Sequence, residues 1–171
     1  MTSPSLPQID KSELLDNLRA RIESDLADQM RRQQDVQEGA THEESRSEHA
    51  KDTRATEQSY LARGLAQRVE ELTRTRDALL ALKLREFAED EAIAVCALVT
   101  LQDEADPEGE SQLIWLVPGA GALDLRQQGH TIRTVTPVSP LGRALIGLHI
   151  GDEGRLKTPR AERNFEVIDV Q

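Results

Sequence analysis

Four carboxylates, Glu43, Glu44, Glu48 and Asp52, crowd a polar stretch of the chain in which Arg46 and Lys51 are the only Lys or Arg. Glu44, Glu48 and Asp52 are four apart, so on a helix they share one face, where like charges disfavour each other modestly unless a cation is supplied. From residue types alone, such a charge run solvates an exposed tip. A second distinctive stretch is Val138-Ser139-Pro140-Leu141-Gly142-Arg143-Ala144-Leu145-Ile146-Gly147, followed by Gly151-Asp152-Glu153. Serine before proline is the pattern of a helix start, with Ser139 as N-cap and Pro140 at the first helical position. Ser139 has no neighbouring base that would make it a nucleophile. Cys96, among Ile93, Val95, Ala97 and Leu98, reads as a buried inert thiol in mid-strand. His42, His49, His130 and His149 have no ligand spacing with the cysteine, which argues against a structural zinc site. His42 and His49 lie where titration near neutral pH is available to them, with surface solvation as the default. Gly119 and Gly121 form a turn and not a phosphate loop, because no helix or Lys-Ser/Thr follows.

Composition narrows what these residues serve. The chain has 171 residues, room for one ordinary domain or two small ones. Hydrophobic residues make up 37% and charged residues 30%, so one half is poor in core. Of the aromatics Tyr60, Phe87, Trp115 and Phe165, all but the first lie in the second half, which places the compact core there. A formal net charge of −10 with no Lys/Arg run repels nucleic acid and favours a protein or metal-bearing partner. One cysteine excludes an internal disulfide and suits a reducing compartment. No apolar stretch approaches the roughly 20 residues of a membrane span, and the N-terminal residues lack the parts of a signal peptide. A soluble cytoplasmic protein is the expectation.

The elements that must position these residues follow from periodicity. Residues 1–9 read as a flexible arm. Leu14, Leu18, Ile22, Leu26 and Met30 then recur every four residues, with Leu15 beside them, as one apolar helical stripe capped by Asp10 or Ser12. Between Gln33 and Thr56 little is apolar. The stripe returns at Leu61, Leu65, Val69, Leu72, Leu79 and Leu82, and Leu65, Leu72 and Leu79 keep the seven-residue spacing of a coiled-coil seam. The spacing predicts an antiparallel hairpin over 10–89 with its tip near 39–52, each arm about 30–40 residues or roughly 45–60 Å long. Beyond Glu91 the pattern becomes strand-like: 93–101, 113–117, a weak 123–125, 132–135, and a closing pair at 155–157 and 165–170, with a short helix at 140–146. The expected fold is α + (α+β): a coiled-coil hairpin, then at 90–171 a domain with a small antiparallel sheet and a core of its own.

The C-terminal stretch resembles the Gre family of bacterial transcript-cleavage factors. Ser139-Pro140-Leu141-Gly142-Arg143-Ala144-Leu145-Ile146-Gly147 is similar to that family's S-P-x-x-x-A-L-x-G segment, and Gly151-Asp152, Lys157-Thr158-Pro159 and Phe165-Glu166-Val167-Ile168 continue in register. Glu57-Gln58-Ser59-Tyr60-Leu61 through Val69-Glu70-Glu71-Leu72 resembles an arm of the family's coiled coil. The family tip, G-D-L-x-E-N-x-E-Y, is replaced by Thr41-His42-Glu43-Glu44-Ser45-Arg46-Ser47-Glu48-His49. Acidic residues survive there and the motif does not.

The resemblance implies an FKBP-like C-terminal domain and an accessory factor, not an enzyme. It implies a monomer that binds bacterial RNA polymerase at the secondary channel and meets nucleic acid only through the elongation complex. Ser139, Pro140 and Leu141 are its expected partner-binding residues. Glu44, Glu48, Glu43 and Asp52 are expected to assist the polymerase-bound Mg2+, the factor having no cofactor or metal of its own, and so to stimulate cleavage of backtracked RNA. Mg2+ takes hard oxygen ligands and accepts one or two added carboxylates while keeping waters, and a second metal activates water and balances charge on the leaving oxygen. The alternative keeps the docking and changes the outcome: a secondary-channel regulator or inhibitor without cleavage stimulation. A prolyl isomerase lacks support because an isomerase pocket is lined by aromatics and this half holds few. A scaffold without any role at an active site is the remaining reading.

Overall fold

The computed structural model describes residues 8–43, 51–159 and 162–171, and their side chains outside 40–43 and 51–55. Two long helices come first, α1 (Lys11–Glu43) and α2 (Lys51–Ala81). Six strands and one short helix follow: β1 (Leu98–Asp103), β2 (Gln112–Leu116), β3 (Asp124–Gln127), β4 (His130–Val135), α3 (Pro140–Leu145), β5 (Glu153–Lys157) and β6 (Glu162–Val170). The chain divides into two compact units, Met1–Leu18 with Ala78–Gln171, and Arg19–Asp77.

The Arg19–Asp77 unit is the shaft of the hairpin. Within it Arg76 of α2 lies 4.0 Å from Glu23 of α1, which brings the two helices side by side. Ile22, Leu26 and Leu72 are buried in the seam, and Leu65 and Val69 are half-buried. The every-four stripe does not hold to its end: Met30 is 54% and Leu61 53% exposed. At 3.6 residues per turn a four-residue repeat drifts about 40° per step. The drift carries Met30 off the seam, and Gln29, Gln33 and Val36 are half-buried in its place.

The other unit begins with a capped helix. Asp10 is the cap, its carboxylate accepting from the Ser12 N–H at 2.8 Å and the Glu13 N–H at 3.3 Å. The sheet runs β3-β4-β2-β1-β6-β5. It is mixed and not wholly antiparallel, because β2 and β4 pair in parallel with Leu113 opposite Ile132 and Leu116 opposite Val135. The chain leaves β2, lays β3 on the edge and returns between them as β4, and that skipped place reverses the direction.

Leu113 to Val117 are all buried, so β2 is covered on both faces. One face joins Val99, Leu101, Ile114, Leu116, Val135, Phe165 and Val167 into the core under α3. The opposite face carries Leu98, Leu113, Trp115 and Ile132, also buried. Gln127 lies on that second side and ties it to the start of α1: its side chain accepts from Asp10 N at 2.7 Å and donates to the Asp10 carbonyl and to Glu13. Ile9, Leu14, Leu15, Leu18 and Leu79 are buried in the same compact unit. The core expected to stand apart from the hairpin therefore includes the hairpin's base.

β1 starts at Leu98, later than expected. Cys96 is buried but sits in a turn with φ 84, not in mid-strand. Its N–H donates to the Leu116 carbonyl, Ala97 N–H closes the turn onto Ala94, and Ile93 pairs with Leu148 and Gly147. The segment before β1 is held by the exit of α3, which removes it from the ladder.

Candidate functional site

The expected partner-binding residues sit at the start of α3. Ser139 is its N-cap, with φ −70 and ψ 158, and Pro140 opens the helix. Ser139 Oγ accepts from Gly142 N–H at 3.0 Å and donates to the Thr136 carbonyl at 2.9 Å. A Cβ at Gly142 would lie 2.0 Å from that same carbonyl oxygen. The turn from Thr136 into α3 is thus closed by a hydroxyl above and a missing side chain below.

The exit is equally fixed. Ile146 N–H donates to the Gly142 carbonyl at 3.0 Å, and Gly147, at φ 89, donates to the Ile93 carbonyl at 2.9 Å. Leu145 is buried and Leu141 and Ala144 pack against the core. Further on, Asp152 Oδ2 accepts from His149 N–H at 2.7 Å.

This geometry sorts the three expected contacts. Ser139 spends its hydroxyl inside the turn and Leu141 packs partly against the core, and both are half-buried. Pro140 is exposed. The side chains that flank it outward are Val138, 75% exposed, and Ile146, 43% exposed. Arg143 is also exposed and folds its guanidinium back onto the Val138 carbonyl. An exposed branched aliphatic thus stands just before and just after the six-residue helix, with exposed Arg143 between them in sequence. Sequence reasoning placed Ile146 within the helix; its position one residue past Leu145, where the helix ends, is the signal that turns it outward.

The four tip carboxylates are placed less completely. Glu44 and Glu48 lie outside the described residues. Glu43 is the last residue of α1 and Asp52 lies in the first turn of α2, with their side chains among those not described. Among the described residues no three His, Cys, Asp or Glu side chains cluster as a metal site, and no helix is long and apolar enough to cross a membrane.

Residues 88–171 match the family model for the transcription elongation factor GreA/GreB C-terminal domain. Transcription elongation factor GreA of Syntrophobacter fumaroxidans is 50% identical over 38 residues, 22% of this chain and 24% of the relative. GreA of Rickettsia conorii is 26% identical over 153 residues, 90% of this chain and 80% of the relative. The match thus spans about a quarter of the first relative's length and most of the second's. The solved structure of the transcription factor Gfh1 is 24% identical, covering 90% of this chain and 92% of that one, with a TM-score of 0.39.

Proposed function

Through its C-terminal half this chain belongs to the GreA/GreB transcription elongation factor family, and from that premise we propose that it binds bacterial RNA polymerase at the secondary channel and stimulates cleavage of backtracked RNA. The match of residues 88–171, which includes the exposed start of α3, carries the reading. Val138, Pro140 and Ile146 dock, while Ser139, Gly142 and Leu141 hold them in place. The hairpin enters the channel with its tip foremost. Glu44 and Glu48, with Glu43 and Asp52 beside them, lend oxygen ligands to the Mg2+ that the polymerase holds and orient the attacking water. The protein is an accessory factor in the cytoplasm, acts as a monomer, brings no metal of its own and meets RNA only within the elongation complex.

One observation favours a second outcome from the same docking. The tip residues Thr41 to His49 do not carry the family's G-D-L-x-E-N-x-E-Y pattern. A factor with that tip is also suited to occupy the channel and regulate or inhibit the polymerase without stimulating cleavage.

A backtracked elongation complex given the full chain and Mg2+ separates the two. Cleavage that is lost in the Glu44→Ala/Glu48→Ala variant, and partly restored by more Mg2+ through mass action, supports the first. Inhibition of extension that survives the same substitutions supports the second. An unaltered complex in both assays contradicts the proposal.

A further inference from the structure

A cavity of about 730 Å3 opens where the first turn of α1, the segment after α2 and the end of β6 meet within one compact unit. Lys11 and Arg85 both line it, and both place their cationic heads on Phe87, the guanidinium 4.0 Å and the ammonium 5.5 Å from the ring centroid. Lys11 is the unusual member, because the residue is only 8% exposed. An ammonium has three N–H bonds to place, and its one recorded acceptor is the Arg85 carbonyl. It has no carboxylate at ion-pair distance among the described residues.

Of the acidic side chains that line the cavity or pair with its cations, each is engaged or turned to solvent, and Gln171, the last residue of β6's trailing end, lines it beside them. The Asp10 carboxylate caps the α1 amides. Glu91 pairs with Arg85, and Glu86 is exposed. Lys11 also stands at a helix N-terminus, the positive end of the macrodipole, where a cation is disfavoured. A buried charge without a counter-charge is costly, and here a second cation and a helix end add to it.

We propose that this cavity binds a small multivalent oxyanion of the pyrophosphate class, with Lys11 and Arg85 as its cationic contacts. The ammonium supplies a compact point charge and the guanidinium a planar fork, a combination suited to phosphate oxygens. The site is distinct from the α3 surface and from the hairpin tip, and it stands whether or not the polymerase reading does.

The test is calorimetric titration of the full chain with sodium pyrophosphate at fixed ionic strength, with citrate as a multivalent carboxylate comparison. Saturable one-to-one binding is expected, stronger for pyrophosphate than for citrate. Lys11→Met and Arg85→Gln should each weaken it by about tenfold or more. Because Lys11→Met also removes the bond to the Arg85 carbonyl, Glu91→Gln provides an independent check: it frees Arg85 from its partner and should tighten binding severalfold. Absence of saturable heat in the parent, parental affinity in the Arg85 variant, or tighter citrate binding would overturn the assignment.

Discussion

The shaft of the hairpin and the sheet unit are built on opposite terms. In the shaft, burial is confined to a thin seam around Ile22, Leu26 and Leu72, and the surface carries ion pairs within a single helix, Arg21–Asp25, Arg68–Glu71 and Arg74–Glu70. Exposed pairs of that kind contribute little. In the sheet unit, β2 is buried on both faces and backbone turns are closed at fixed points such as Thr136 and Gly142. A Cβ at Gly154 would even fall 2.3 Å from the Phe165 ring. The contrast separates a thin seam under a charged surface from a sheet whose faces and turns are closely packed.

The boundary between the two regions offers the largest test of this contrast. Leu98, Leu113, Trp115 and Ile132 share a compact unit with the hairpin's base. A fragment of residues 90–171 should therefore fail to give a cooperative thermal transition, whereas the full chain gives one. A well-dispersed amide spectrum from the fragment would show that the sheet needs no base.

Within the sheet, Trp115→Ala should cost about 3–5 kcal/mol, as for other large aromatic truncations, read as a lower urea midpoint. A loss below about 1 kcal/mol would mean that this face is loosely packed. In the shaft the effects should be graded. Leu72→Asp puts a charge in the buried seam and should cost roughly 2–4 kcal/mol of hairpin stability. Leu65→Asp, at a half-buried site, should cost about 1 kcal/mol. Equal losses of helical circular dichroism on heating would remove the distinction between a packed base and a solvated far end.

Much of this was legible in the sequence, for identifiable reasons. A seven-residue repeat at Leu65, Leu72 and Leu79 marks the α2 seam because period encodes the buried face, and Ser139-Pro140 marks a helix start because few residues fit those two positions. What failed was non-local. The repeat from Leu14 to Met30 looks continuous on paper, yet its drift around the helix exposes Met30 and recruits glutamines. The apolar run from Ile93 reads as strand, but hydrogen bonds to Leu148 and Gly147, far along the chain, hold it as a turn. The parallel pairing of β2 with β4 depends on which gap the returning chain enters, and no local pattern records that. The tip chemistry rests on resemblance, since Glu44 and Glu48 fall outside the described residues.

The smallest expected effect lies where the end of β1 meets the start of β6. The Asp103 carboxyl is held below the usual carboxylate range, first by the Ala105 N–H and then by the Arg163 guanidinium, against a partial loss of solvent. A depressed folded-state pKa stabilises above the unfolded value of about 3.9 and loses that contribution as pH falls through the folded value. Arg163→Met should therefore lower the urea midpoint slightly at pH 7, with the gap to the parent closing as the solution is acidified through that range. A gap that widens on acidification would have the sign wrong.

The central claim is that the rigid start of α3 presents a docking surface for RNA polymerase. The most direct measurement is the affinity of the full chain for bacterial RNA polymerase, by fluorescence anisotropy, for the parent, the Val138→Asp/Ile146→Asp variant and the Glu44→Ala/Glu48→Ala variant. The account predicts that the parent binds, that the α3 variant binds about tenfold or more weakly as expected for lost apolar anchors, and that the tip variant binds as the parent does. Absence of binding by the parent, or undiminished binding by the folded α3 variant, would contradict it.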